Sequence, residues 1–163
     1  MEEVFILSAA RTPVGNYQAS LSTVPAVRLG AVAIKAALER SGVPLDKVEE
    51  VIMGNVLTGG EGQAPSRQAA LYAGLPHGVC CTQVGKVCGS GLKSLMLAAQ
   101  GIACGDADVI VAGGMESMSG APYTMPVART GYRMGNNVVE DMMMKDGLVD
   151  AYALKPMGSF ADM

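Results

Sequence analysis

A chain of 163 residues, half of them hydrophobic and 17% charged, is long enough to bury one sizeable core. Its formal net charge of -3 supplies no basic field for nucleic acid or an anionic lipid surface, so neither is expected as a partner. Met1-Glu2-Glu3 is acidic and the apolar run Val4-Phe5-Ile6-Leu7 is too short for a secretory core, which points to a cytoplasmic protein without a membrane span.

In chain order, strand-like and helix-like segments alternate, the pattern of an α/β fold with helices around a parallel or mixed sheet. Val4 to Ala9 reads as an apolar strand ending in the loop Arg11-Thr12-Pro13-Val14-Gly15. Val27 to Ser41 has helical spacing of Leu29, Val32, Ala33, Ala36 and Ala37, and Gly42 followed by Pro44 stops it. Val48 to Leu57 is a second strand, and Gly59-Gly60-Glu61-Gly62 a turn. Gln63 to Ala73 is a helix with Pro65 in its first turn, where a missing N–H costs little. Val79 to Val87 is a strand, Ser90 to Cys104 a long helix, and Asp108 to Ala112 a buried strand that turns at Gly113-Gly114. From about Glu116 the chain becomes rich in Met, Gly, Pro and Tyr and loses periodicity, apart from a short helix expected over Val138 to Met144.

Cys80, Cys81, Cys88 and Cys104 show no C-x-x-C spacing and read as reduced thiols. His77, three residues before Cys80, has no second cluster to complete a metal shell, so a surface His77, strand-buried Cys80 and Cys81 and no metal site are expected. Arg11 and Arg67 read as structural ion-pair partners rather than phosphate ligands. The chemically informative stretch is Lys86-Val87-Cys88-Gly89-Ser90-Gly91-Leu92-Lys93, which places a cysteine where a strand gives way to a helix. A thiol there lies near the positive end of the helix dipole, which favours the thiolate nucleophile. The flanking glycines allow a sharp turn and close approach of a ligand. Such a site suits acyl transfer. Lys86 and Lys93 flank it, but the helix dipole is expected to matter more.

Five segments together resemble the N-terminal part of the thiolase family, nearest its acetyl-CoA C-acetyltransferase branch. They are Ser8-Ala9-Ala10-Arg11-Thr12-Pro13-Val14-Gly15, Gly54-Asn55-Val56-Leu57, Gly62 to Ala70, the Cys88 segment, and Ala112 to Ser119. A sixth, Asp146 to Ala151, resembles the start of that family's substrate-covering loop domain. The resemblance implies a thiolase-like layered fold, N-terminal half only. Residues 1–116 would form the N-terminal domain without its last strand, and 117–163 the start of the loop domain. It also implies Claisen condensation and thiolysis of acetyl-CoA and acetoacetyl-CoA, with Cys88 carrying the acyl group and its backbone N–H contributing to an oxyanion hole. Leu148 and Met157 fall at positions that line the pantetheine and acyl pocket. Coenzyme A thioesters are then substrates, no cofactor is required, and a homo-oligomer is expected.

The sequence departs from the family pattern at two positions. Gly85 stands where relatives carry asparagine three residues before the nucleophile, and Pro156 where they carry histidine before the pocket methionine. The family's C-terminal half supplies a Gly-His-Pro histidine that acts as base and a second cysteine in Cys-x-Gly-x-Gly, and neither motif occurs here. A truncated thiolase, inactive alone, is therefore expected. A non-catalytic fragment acting only in association and a 3-ketoacyl-CoA thiolase of fatty-acid degradation remain alternatives. Cys88-Gly89-Ser90 in place of Cys-Ser-Ser disfavours a ketoacyl synthase.

Overall fold

The structure, a computed structural model, describes residues 3–162. Its centre is β1 (Glu50–Gly54), flanked by β2 (Cys80–Val84) and β3 (Ile110–Gly114) in the order β2-β1-β3. Both pairings are parallel, with Glu50 opposite Cys80 and Ile110 and Gly54 opposite Val84 and Gly114. All three strands therefore end at the same edge of the sheet. One crossover runs from β1 out to β2 and the next from β2 back past β1 to β3, so they run in opposite directions across the sheet and place their helices on opposite faces.

On one face, α1 (Ala26–Ser41) and α2 (Pro65–Tyr72) pack together over Val51 and Met53 of β1. Ala26, Val27, Ala31, Ile34 and Leu38 form the buried stripe of α1 and meet Ala69 and Ala70 of α2. Side chains alternate along a strand, so Ile52 and Gly54 face the other way, toward α3 (Ser90–Cys104). The inner face of α3 is built from small residues, Ser90, Ser94 and Ala98, and the helix lies close on the sheet. Gly42 ends α1 at φ 70 with its N–H on the Leu38 carbonyl, and Gly105 ends α3 at φ 79. Pro65 occupies the first turn of α2.

Several elements differ from the sequence expectation. Val4 to Ala9 is not a strand. Among the described residues no strand pairs with it, and Phe5, Ile6 and Leu7 are 70%, 74% and 64% exposed. It is tethered to α1 instead, through Ser8 Oγ donating to the Ala37 carbonyl at 2.6 Å and Arg40 donating to the Ala9 carbonyl at 2.7 Å. β1 is shorter than Val48 to Leu57, because the N–H groups of Val56 and Leu57 turn away to the Glu116 carboxylate. β2 ends at Val84, where Gly85 leaves the ladder. β2 is an edge strand, so Cys80 is exposed and Cys81 half-buried rather than strand-buried. β3 is half-buried along most of its length.

Beyond Gly114, β4 (Tyr123–Thr124) and β5 (Glu140–Asp141) form a separate antiparallel ribbon. The short helix expected over Val138 to Met144 is absent. Asp141 Oδ1 accepts the Met143 N–H at 2.9 Å and starts a π-helical stretch, Met143–Leu148, in its place. A last short helix, α4, spans Gly158–Ala161.

Candidate active site at the start of the third helix

Between β2 and α3 the chain makes an elbow at Gly85–Gly89. Val87 lies in the left-handed region at φ 47, a conformation that opposes a β-branched side chain. The N–H groups of Gly89 and Ser90 donate to the carbonyls of Lys86 and Val87 at 3.0 and 3.1 Å. The Ser90 hydroxyl accepts the Lys86 N–H and donates to the Val87 carbonyl, both at 2.7 Å. Cys88 stands exposed at the tip, immediately before the first turn of α3.

The elbow is held at the carboxyl edge of the sheet by glycines. A Cβ on Gly54 would lie 2.5 Å from the Ser90 carbonyl carbon and 2.6 Å from the Gly91 nitrogen. A Cβ on Gly114 would lie 3.2 Å from Gly91 Cα. The start of α3 thus rests directly on the ends of β1 and β3, an approach only glycine permits. Ser94, fully buried, fixes the next turn: its hydroxyl oxygen lies 2.6 Å from both the Gly91 and the Gly113 carbonyl oxygens, which share its single proton.

Over this junction opens a cavity of about 390 Å³ lined by Cys88, Leu57, Met115, Glu116, Met118 and Leu148, among others. Its wall is mostly apolar, with the thiol at one side, a form suited to a small molecule with a flexible apolar arm. The Glu116 carboxylate ties the wall together: Oε1 accepts Asn55 Nδ2 at 2.9 Å and the Leu57 N–H at 3.1 Å, and Oε2 accepts the Val56 N–H at 2.9 Å. Nearby Glu61 has a buried Oε2 without a hydrogen-bond partner. Burial, with the Glu116 charge adding to it, pushes the Glu61 pKa up to about 7. A Cβ on Gly147 would meet Leu57 at 3.4 Å, which shows how closely the π-helical stretch packs to bring Leu148 into the wall.

Of the residues singled out in the sequence, Cys88 and Leu148 share the cavity and Met157 does not line it. Met157 is half-exposed and donates its N–H to the Leu148 carbonyl at 2.8 Å, beside the antiparallel bridge of Val149 with Pro156, so its backbone is paired with that of Leu148. His77 is exposed before β2, whereas Cys88 follows β2, so the whole strand separates them. Arg67 corrects the ion-pair expectation: its guanidinium donates to the carbonyls of His77 and Val79 at 2.7 and 3.2 Å, bracing the entry to β2. Arg11 is exposed, and among the described residues neither arginine pairs with a carboxylate. Lys86 is exposed and Lys93 half-buried. Among the described residues no three His, Cys, Asp or Glu side chains are grouped to hold a metal.

Glu61 and the structural use of Gly54 and Glu116 were not legible as site features. Their partners lie far away in sequence, and only a glycine closing an apolar strand, as at Gly54, hints at close approach.

Comparison with known proteins agrees with this geometry. The family described as thiolase, N-terminal domain, matches residues 4–163. The mitochondrial acetyl-CoA acetyltransferase of Xenopus tropicalis is 56% identical over 99% of this chain and 38% of its own length. The acetyl-CoA acetyltransferase of Pseudomonas aeruginosa is likewise 56% identical, over 99% of this chain and 41% of its own. A crystal structure of the Acat5 thiolase from Ascaris suum in complex with coenzyme A superposes with a TM-score of 0.94 at 39% identity, covering 99% of this chain and 42% of that one. The chain therefore spans about two fifths of the length of the curated relatives it matches. A parallel sheet with a cysteine elbow at its carboxyl edge, matched over almost every residue, places this chain in the thiolase family, in its N-terminal domain.

Proposed function

We propose that this chain carries the acyl-accepting half of a thiolase-type acyltransferase acting on acetyl-CoA and acetoacetyl-CoA. The observation that carries the reading is the position of Cys88: exposed at the tip of a strained elbow, at the start of α3, and facing an apolar cavity. The Cys88 thiolate attacks the thioester carbonyl, the carbonyl carbon gains a bond to Sγ, and the coenzyme A thiolate departs with the electron pair of the broken C–S bond. One thioester replaces another, so the exchange is nearly balanced in energy. Negative charge develops on the carbonyl oxygen during attack. The turn uses the N–H groups of Gly89 and Ser90 but not that of Cys88, which is the donor offered to that oxygen. Leu148 contacts the pantetheine or acyl chain, and Met157, tied to Leu148 through the backbone, joins it in binding substrate.

The names of the relatives support acetyl-CoA as the substrate. Coenzyme A thioesters act as substrates and no separate cofactor takes part. Residues 1–116 are the N-terminal thiolase domain and residues from 117 begin the loop domain, within a homo-oligomer. The carbon–carbon bond-forming step draws its histidine base and second cysteine from the part of the family's length that this chain does not span. Incubation of the folded chain with acetyl-CoA, followed by peptide mass mapping, tests the reading. One acetyl group on the Cys88 peptide, absent in Cys88→Ala, is expected. Acetylation spread over several thiols, or none on Cys88, would refute it.

A further inference from the structure

We infer that Ser90 is a positioning residue for Cys88: its buried hydroxyl closes a ring with the Lys86 N–H and the Val87 carbonyl and so holds the elbow that presents the thiol to the cavity. The inference rests on the reading of Cys88 as the nucleophile. Ser90 is only 4% exposed. Its hydroxyl acts at once as acceptor and donor, each bond at 2.7 Å, on the two residues that precede Cys88.

Those bonds answer a question posed by Val87. A β-branched residue resists φ 47, and conformations of this kind persist only where the surroundings over-determine them. Side-chain packing does not impose this one, because Val87 is 50% exposed. The backbone turn alone is held by the N–H groups of Gly89 and Ser90 at 3.0 and 3.1 Å, and these leave the Lys86 N–H without an acceptor. The Ser90 hydroxyl supplies that acceptor and, through the Val87 carbonyl, fixes the peptide that joins Val87 to Cys88. Ser90 in turn cannot retreat, since its own backbone lies against Gly54. Ser94 makes a useful contrast. It is as buried, but its hydroxyl ties α3 to the Gly113 carbonyl and touches no residue of the elbow before Cys88.

The test is the rate of Cys88 alkylation by iodoacetamide, read by peptide mapping with Cys104 of the same chain as internal reference. Iodoacetamide requires no acyl transfer, so failure of this inference is separable from failure of the proposed function. Ser90→Ala is expected to slow Cys88 relative to Cys104 by about fivefold, the scale of a nucleophile losing its place at a helix N-terminus. Glycine takes a positive φ without penalty, so adding Val87→Gly to Ser90→Ala is expected to bring the rate back to within about 1.5-fold of the parent. A purely structural role for Ser90 would not be relieved in this way. Ser94→Ala is expected to lower the melting temperature while leaving the Cys88 to Cys104 ratio unchanged. An unaltered Cys88 rate in folded Ser90→Ala, or a folded double variant that stays slow, overturns the inference. If Ser90→Ala alone does not fold, the double variant decides: recovery of both the melt and the Cys88 rate supports the role, and failure of either overturns it.

Discussion

Gly54 and Ser90 come together so closely that a Cβ on Gly54 would fall 2.7 Å from the Ser90 Cβ, and closer still to the backbone that follows. Contacts to backbone cannot be relieved by a rotamer change. Gly54→Ala must therefore push the start of α3 off the sheet, and with it the Cys88 elbow. Overpacking of this kind costs about 1–3 kcal/mol, with the unyielding contact favouring the upper part of that range. A lowered melting temperature together with slower Cys88 alkylation is the expected outcome. Gly85→Ala provides the comparison, because a Cβ there meets nothing within 4 Å. Equal stability of Gly54→Ala and the parent would contradict the close approach.

Glu61 gives the fold a defined pH dependence. Its pKa is pushed up to about 7 by burial, with the Glu116 charge adding to it, against an ordinary value of 4.5. A carboxyl raised in the folded state binds its proton more tightly there than in the unfolded chain. Its stabilising effect is therefore complete below about 4.5 and is lost as pH rises through about 7. Because Glu61 is only half-buried, solvent screening reduces the expected loss to the order of 1 kcal/mol. Denaturant midpoints at pH 6 and pH 8 should differ in that direction for the parent. Glu61→Gln, which cannot ionise, should remove this component and stabilise the chain at pH 8. A Glu61→Gln profile that falls between pH 6 and 8 as steeply as the parent's would rule the assignment out.

The four thiols should not react alike. Burial raises the Cys81 pKa above its usual value, outweighing the opposing Arg67 charge, and Cys81 is half-buried on the sheet. Fewer thiolates and poorer access both slow attack. Under limiting iodoacetamide at neutral pH, Cys81 is expected to be labelled last and Cys88, exposed at the start of α3, first. Arg67→Met removes the compensating charge and the two bonds to the His77 and Val79 carbonyls, and should loosen the entry to β2 as well. Labelling of Cys81 as early as Cys80 in the folded parent would show that burial does not control it.

How far the sequence could be read depended on whether a feature was local. The helix from Ser90 to Cys104 was legible to the residue because its limits are set by adjacent glycines, Gly89 before it and Gly105 after it. The cysteine elbow was legible for the same reason. Val4 to Ala9 is not a strand because an apolar run becomes one only where a sheet edge accepts it, and here its own Ser8 hydroxyl and the Arg40 guanidinium of α1 tie it to that helix instead. The strand after Val48 ended early because Glu116, 59 residues beyond Leu57, captures the N–H groups that would have continued the ladder. Leu148 reaches the cavity because Gly147 lets the π-helical stretch settle on Leu57, a contact that no periodicity announces.

A polypeptide of these 163 residues is expected to accept an acetyl group on Cys88 yet not to turn acetyl-CoA over to acetoacetyl-CoA. Carbon–carbon bond formation needs a base to remove an α-proton, and general bases contribute about 100- to 10,000-fold each. Among the described residues the cavity offers no such group. His77 lies beyond the opposite end of β2 from Cys88. Glu116 lines the cavity, but its carboxylate oxygens already accept hydrogen bonds from Asn55, Val56 and Leu57 and are committed to holding the wall together. Assays in the condensation and thiolysis directions, run on the purified chain beside Cys88→Ala, should show stoichiometric acetylation of the parent without catalytic turnover. Adding a polypeptide that carries the family's remaining length should then restore turnover with the parent but not with Cys88→Ala. Turnover by the isolated chain at the rate of an intact thiolase, abolished by Cys88→Ala, would mean that a base within these residues has been overlooked, and Glu116→Gln would be the first variant to examine.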